Sequence, residues 1–262
     1  MKAYRVSLLS SLVALVLIWT LGGVTVSNAD TVALWLFDEE SGDEAMDSSG
    51  NENHGIIHDA IWVAGKFGSA LEFDGVASYV EIPESDSLKV TDQLTWHAWI
   101  KVTGGQGTDR NIFAQSENGG YGGRIHVGEQ YSCWLKVDND WRYPAAAANV
   151  PDLYDTWHHV ATTYDSETGV QKMYVDGELA SEGPLELANL KIQPGTGTSE
   201  IGNRHEWTQP FDGIIDELCI YDVVLTQDEI QESMNSLGKT AVEPSGKLAA
   251  TWGNIKMRSV LY

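Results

Sequence analysis

The chain is poor in cysteine, in proline and in positive charge. Among 262 residues there are two Cys, seven Pro and 16 Lys or Arg, against 38 Asp or Glu, for a formal net charge of −22. Each scarcity excludes something. Two cysteines cannot staple a disulfide-rich scaffold, so an apolar core must hold the fold together. Cys133 and Cys219 both fall in strand-like segments, and the sequence allows either a disulfide between them or two buried thiols. Nucleic acid and anionic lipid need Lys and Arg partners for their phosphates, so neither is expected as a partner. Apolar runs long enough to cross a membrane, roughly 20 residues, are also missing. The longest, Leu8 to Leu21, follows Lys2 and Arg5 and precedes the small residues of Ser27-Asn28-Ala29. That pattern is a secretory signal peptide over residues 1–29, cleaved before Asp30. The expectation is a secreted, cell-surface or periplasmic protein with no membrane insertion after cleavage. Losing Lys2 and Arg5 would leave it still more acidic, which favours solubility and suits hard divalent cations.

Catalytic signatures are missing too. No Gly-rich phosphate loop precedes a helix, and there is no Gly-x-Ser-x-Gly elbow and no His-Glu-x-x-His. His54 and His58 share a strand-like segment without a third zinc ligand, and His158 and His159 point to opposite faces of a regular strand.

What the sequence does contain is short strands punctuated by turn residues. Val32 to Phe37, Ala70 to Phe73, Tyr79 to Ile82, Leu94 to Val102, Trp157 to Tyr164, Val170 to Val175 and Phe211 to Tyr221 are rich in aromatic and β-branched residues. Asp74-Gly75 and Asp176-Gly177 each suggest a two-residue hairpin turn, with glycine supplying the positive φ. One helix is expected. Thr226 and Glu229 form a capping box, Ile230, Met234 and Leu237 an apolar stripe, and Gly238 the stop. The expected fold is all-β, a two-sheet antiparallel sandwich with one short C-terminal helix. It occupies residues 30–238, and residues 239–262 form a linker and tail.

Several segments resemble a known family. They are Leu34-Trp35-Leu36-Phe37-Asp38, the stretch Asp47 to Gly55, the stretch Gly65 to Gly75, Trp157-His158-His159-Val160-Ala161, Tyr174-Val175-Asp176-Gly177 and Gly213 to Leu218. In this order they resemble the laminin G-like domains of bacterial secreted proteins, within the concanavalin A-like lectin/glucanase superfamily. The resemblance implies a jelly roll. It also implies a calcium ion tying an N-terminal segment to an Asp on the last strand, the position of Asp216. The loop from Asp38 to Asn53 offers oxygen ligands, so Asp38, Asp47, Asn51 and Asp216 are the metal candidates. The alternative for Asp47, Ser48 and Asn51 is Asx-turn formation.

The glucanase branch uses Glu-x-Asp-x-(x)-Glu on one strand, where alternate carboxylates share a face. Glu72-Phe73-Asp74 and Glu84-Ser85-Asp86 start this pattern and neither finishes it. A binding module is therefore expected, recognising a glycan or an extracellular protein. A hydrolase or lyase with dispersed catalytic residues is the remaining alternative. Asn118 to Arg124, Asn139 to Tyr143 and Asn203 to Trp207 read as loops holding aromatic rings and arginines outside the family segments. Trp141, Tyr143, Arg204, His205 and Trp207 are the candidate ligand site, since exposed rings stack on sugars and loops on a rigid scaffold carry recognition.

Overall fold

The computed structural model describes residues 31–116, 118–143, 147–184, 189–204 and 207–236. The expected signal peptide, His205, Leu237 and the expected tail lie outside the described residues. Among the described residues there are two antiparallel sheets and one helix.

The first sheet runs β15 (Glu178–Pro184), β14 (Val170–Val175), β13 (Trp157–Asp165), β7 (Gln93–Val102), β17 (Asp212–Tyr221), β5 (Ser69–Asp74) and β4 (Ile61–Ala64), with β1 (Thr31–Trp35) also paired to β17. The second runs β11 (Asp140–Arg142), β10 (Gln130–Val137), β9 (Tyr121–His126), β8 (Arg110–Ala114), β16 (Ser199–Ile201), β6 (Tyr79–Ile82), β3 (Gly55–His58) and β2 (Glu44–Ala45), with β12 (Ala148–Asn149) on β10. The order matches the expected sandwich of crossing connections rather than a meander.

Strand alternation builds the core. In β7, Leu94, Trp96, Ala98, Ile100 and Val102 point inward. They meet Phe113, Tyr121, Ile125, Tyr131, Cys133, Leu135 and Val137 from the second sheet. Two glycines in β9 make room on both faces. A Cβ on Gly123 would lie 2.3 Å from the Trp96 ring inside, and one on Gly122 would lie 2.4 Å from the Trp134 ring outside. Deleting a ring of this kind from the core costs about 3–5 kcal/mol.

The outer face of the first sheet is covered by α1 (Gln227–Ser236), packed on Leu34, Leu36, Ala161, Tyr174, Cys219 and Tyr221 through Ile230. The capping box forms as expected. Glu229 accepts from the Thr226 amide at 2.8 Å, and the Glu229 amide donates to Thr226 Oγ1 at 3.3 Å. Ser233 is buried beside Ile230 and hydrogen-bonds His97 Nε2 at 2.9 Å. The helix thus covers a polar cluster as well as an apolar one.

Three local expectations are corrected. Asp74-Gly75 does not close a hairpin, because β5 and β6 belong to different sheets. The Asp74 carboxylate instead accepts from the amides of Val76, Ala77 and Ser78, organising a crossover turn. Asn118 to Arg124 is not a loop throughout, since Tyr121 begins β9 and lies wholly in the core. Trp141 likewise sits on a strand, β11, beyond the Asp138-Asn139 turn. Asp176-Gly177 does join β14 to β15, both residues having positive φ (52° and 78°). Both cysteines are free and buried, Cys133 inside the sandwich and Cys219 under α1.

Candidate functional site

The second sheet places Tyr131, Cys133, Leu135 and Val137 of β10 inside, so Trp134 and Lys136 face outward. Around Trp134 the structure assembles most of the predicted ligand residues. The Arg204 guanidinium carbon lies 4.9 Å from the Trp134 ring centre, 4.9 Å from Trp141 and 5.2 Å from Trp207. Arg124 lies 5.9 Å from Trp134 and 5.6 Å from Tyr143, and Lys136 Nζ lies 5.3 Å from Trp141. Rings and cations thus form one connected stack, each contact worth about 0.5–2 kcal/mol depending on its desolvation.

The stack is graded from rigid to open. Trp134 is fully buried and Arg204 is 2% exposed, whereas Tyr143 is 45% and Trp207 57% exposed. Arg204 is held from its backbone, its amide donating to Asn203 Oδ1 at 2.7 Å while the Trp207 amide donates to its carbonyl at 3.0 Å. Arg124 pairs with Asp109 at 3.1 Å, and Arg142 with Asp140 at 3.1 Å. Lys136 donates to the Asn118 carbonyl at 2.6 Å. Chemically this is a pre-ordered aromatic surface ringed by donors.

Of the five predicted residues, Trp141, Tyr143, Arg204 and Trp207 come together here, and His205 lies outside the described residues. Trp134, Lys136 and Arg124 were not among the predicted site residues. Alternation against Cys133 and Leu135 was the available signal for Trp134 and Lys136. A tryptophan in a strand nevertheless reads as core until the outer face is known to carry a site.

The four metal candidates divide into two places. Asp47 is 6% exposed and serves as a hub, its oxygens accepting from the amides of Leu34, Ser49 and Asn53 and from Ser49 Oγ at 2.8–3.0 Å. Asn51 donates to the carbonyls of Thr31 and Val32. Surrounded by donors, these two tie the first strand to its loop in the Asx-turn manner.

Asp38 and Asp216 form the second place. A Cβ on Gly68 would lie 1.9 Å from Asp38 Oδ1, and one on Gly65 would lie 2.6 Å from Asp216 Oδ2, so this glycine turn fits closely over both carboxylates. Asp216 Oδ2 accepts from the amides of Lys66 and Phe67 at 2.8 and 3.1 Å, and Asp38 Oδ1 from Ser69 at 3.1 Å. Asp216 Oδ1 and both oxygens of Glu217 are buried without a hydrogen-bond partner.

A register shift in β17 between Asp216 and Cys219, with Glu217 at φ 50°, breaks the alternation and brings the Glu217 carboxylate under the influence of its neighbours. Burial, reinforced by the Asp38 charge, lifts Asp216 to about 7. Burial, then the charges of Asp216 and Asp38, lifts Glu217 to about 9. Among the described residues no three His, Cys, Asp or Glu side chains converge as a ready-made metal cluster. Any ion here would need backbone carbonyls as well.

Comparison with known proteins agrees with the fold. A family model described as the concanavalin A-like lectin/glucanases superfamily, Laminin_G_3, matches residues 74–231. The mouse (Mus musculus) sushi, von Willebrand factor type A, EGF and pentraxin domain-containing protein 1 is 33% identical over 91 residues, 32% of this chain and 2% of that protein. The human (Homo sapiens) pentraxin-related protein PTX3 is 33% identical over 86 residues, 29% of this chain and 22% of that protein. The chain therefore spans only a small part of these relatives.

Among solved structures, domain 4 of AbnA, an extracellular arabinanase from Geobacillus stearothermophilus in complex with arabinotriose, matches with a TM-score of 0.61 at 23% identity. That match covers 78% of this chain and 98% of the domain. The ligand binding domain of botulinum neurotoxin serotype D, in complex with N-acetylneuraminic acid, matches with a TM-score of 0.63 at 14% identity, covering 80% and 52%. With more than half its length matched by the family model and its sheets ordered as described, the chain belongs to the laminin G-like family of the concanavalin A-like lectin/glucanase superfamily.

Proposed function

We propose that this protein is an exported, non-catalytic module that binds carbohydrate through the ring-and-cation stack on its second sheet. The observation that carries this reading is Trp207, a ring 57% exposed yet seated on the nearly buried Arg204. Exposing a large ring to water costs free energy, and an apolar sugar face recovers that cost. The ring is already ordered, so little conformational entropy is lost on binding. Sugar-bound neighbours of the same fold support the reading, as do relatives whose names mark multi-domain proteins.

The non-catalytic part rests on the acids. Glu84 is engaged by Lys89 at 3.0 Å, and Asp216 and Glu217 are both buried, Asp216 Oδ2 accepting from the Lys66 and Phe67 amides. We propose a structural calcium ion at Asp38 and Asp216, completed by nearby backbone carbonyls. The unpartnered buried oxygens fit a hard cation, which would neutralise carboxylates that otherwise repel one another. A second reading is adhesion to an extracellular protein, favoured by neighbours that include receptor-binding domains of neurotoxins.

The test is a glycan array with the intact protein and with Trp207→Ala. The expected result is binding to a defined glycan class, weakened at least about tenfold by the substitution, with the melting temperature nearly unchanged. An array without binding, alongside capture of a protein partner that Trp207→Ala abolishes, would favour adhesion instead.

A further inference from the structure

The free edges of the two sheets are not alike, and one of them offers a surface outside the proposed carbohydrate site. Along its main order the first sheet ends in β15 and β4, and the second in β11 and β2. An edge strand turns alternate N–H and C=O groups away from its sheet, where another chain can pair with them. Proteins guard such edges with charge, proline, bulges or shortness. β15 carries Glu178, Glu182 and Pro184 and slips register against β14. β11 has three residues and β2 has two. β4 is Ile61-Trp62-Val63-Ala64, with no charge, no proline and regular pairing to β5 along its length. Ile61 is 57% exposed. Beside the strand lies a cavity of about 400 Å³ lined by Glu40, Trp62, Val63, Ala64, Gly68 and Ser69. The Trp62 ring is fixed there, its Nε1 donating to the Gly42 carbonyl at 2.9 Å.

Charge selects the occupant. Residues 38–64 hold eight Asp or Glu and no Lys or Arg. The Trp62–Gly42 bond brings the acidic stretch from Glu39 to Glu44 against β4, and Glu72 of β5 stands opposite Ile61. The nearest Lys or Arg in sequence, Lys66, is engaged elsewhere, its Nζ 4.0 Å from the Trp99 ring centre. A second copy of the chain, of net charge −22, would bring the same acids to this edge, and like charges across paired strands repel. A basic segment meets no such repulsion. Lys and Arg stems pack on an aromatic face while their heads reach a carboxylate, and Trp62 and Glu40 line one cavity. We infer that β4 takes on an extended, Lys- or Arg-bearing segment of another protein as an added strand, with one basic side chain entering the cavity of Trp62 and Glu40.

The test is isothermal titration of the full chain with three peptides at fixed calcium. They are an alternating threonine–lysine octapeptide, its threonine–glutamate counterpart, and the lysine peptide with every backbone amide methylated on nitrogen. The first is expected to bind about tenfold or more tighter than either of the others, because only it carries both the charge and the strand-pairing amides. Added salt should weaken it, since the charges are exposed. Hydrogen exchange should slow at residues 61–64 when the lysine peptide is added. Trp62→Ala should weaken binding about tenfold and Glu40→Gln about threefold. Glu40 is exposed, so its substitution leaves the fold intact and keeps the test decisive where Trp62→Ala unfolds the protein. No binding of the lysine peptide, undiminished binding after amide methylation, or slowed exchange only outside β4 would each overturn the inference. Dimerisation of the chain alone in sedimentation, abolished by Ile61→Lys, would assign the edge to a second copy and overturn it as well.

Discussion

At the scale of single residues, the buried acids make the sharpest claim. Asp216 and Glu217 are held well above their ordinary values chiefly by burial, to about 7 and about 9. Without a cation the fold therefore retains protons that the unfolded chain has released. The contribution to stability is complete below roughly pH 4 and is lost as pH rises through about 7 and then about 9. Melting measured in chelator should fall over that window. Calcium should reverse the fall, by about 2.7 kcal/mol at 100-fold excess over its dissociation constant. Asp216→Asn should flatten the chelator profile and remove the calcium response. Identical melting with and without calcium at about pH 8 would eliminate the proposed ion. Glu217 itself was hidden in the sequence. Next to Asp216 on a regular strand it would face away, and only the bulge turns it into the same polar group.

At the scale of elements, α1 shows how a local signal can be complete and still understate its role. The capping box is readable from Thr226 and Glu229 alone, and both reciprocal bonds form. Thr226→Ala should destabilise the protein by about 1 kcal/mol, read as a lower denaturant midpoint with unchanged slope. An effect near zero would mean that packing of Ile230 on Leu34, Tyr174 and Tyr221, rather than the cap, fixes the helix start. The burial of Ser233 was not readable, because its partner His97 is far away in sequence and is brought under the helix by β7. Asp74-Gly75 teaches the converse. The dipeptide carries a hairpin signal, yet the next strand joins the opposite sheet, and the side chain of Asp74 caps a crossover turn instead.

At the scale of the whole molecule, the acidic balance suits the export that the apolar N-terminal run predicts. A chain destined for export can carry many carboxylates that cations outside the cytoplasm would balance. Mass spectrometry of the exported protein should find an N-terminus at or near Asp30, and an intact Met1 on membrane-bound protein would contradict that expectation. The stack on the second sheet is likewise a property of the whole. Trp134 and Trp141 arrive on neighbouring strands, while Arg204 and Trp207 come from the loop after β16, which reaches the same face only because β16 pairs with β8 and β6.

Strand periodicity, the capping box and the spacing of the family segments are local patterns, and physical chemistry acts on them within a few residues. The fold class, the helix and the laminin G-like assignment were therefore readable from the sequence. Trp141, Tyr143, Arg204 and Trp207 were singled out because rings on predicted loops need an explanation, and the structure brings them into one connected stack. Tertiary structure alone decided the rest. It separated Asp47 and Asn51 from Asp38 and Asp216, because hydrogen-bond donors rather than other acids came to surround Asp47. It also turned Trp134 outward beneath two arginines and left Cys133 and Cys219 as free thiols. Each of these depends on which distant strands become neighbours, and that is set by burying one continuous core between two sheets rather than by any residue's own preference.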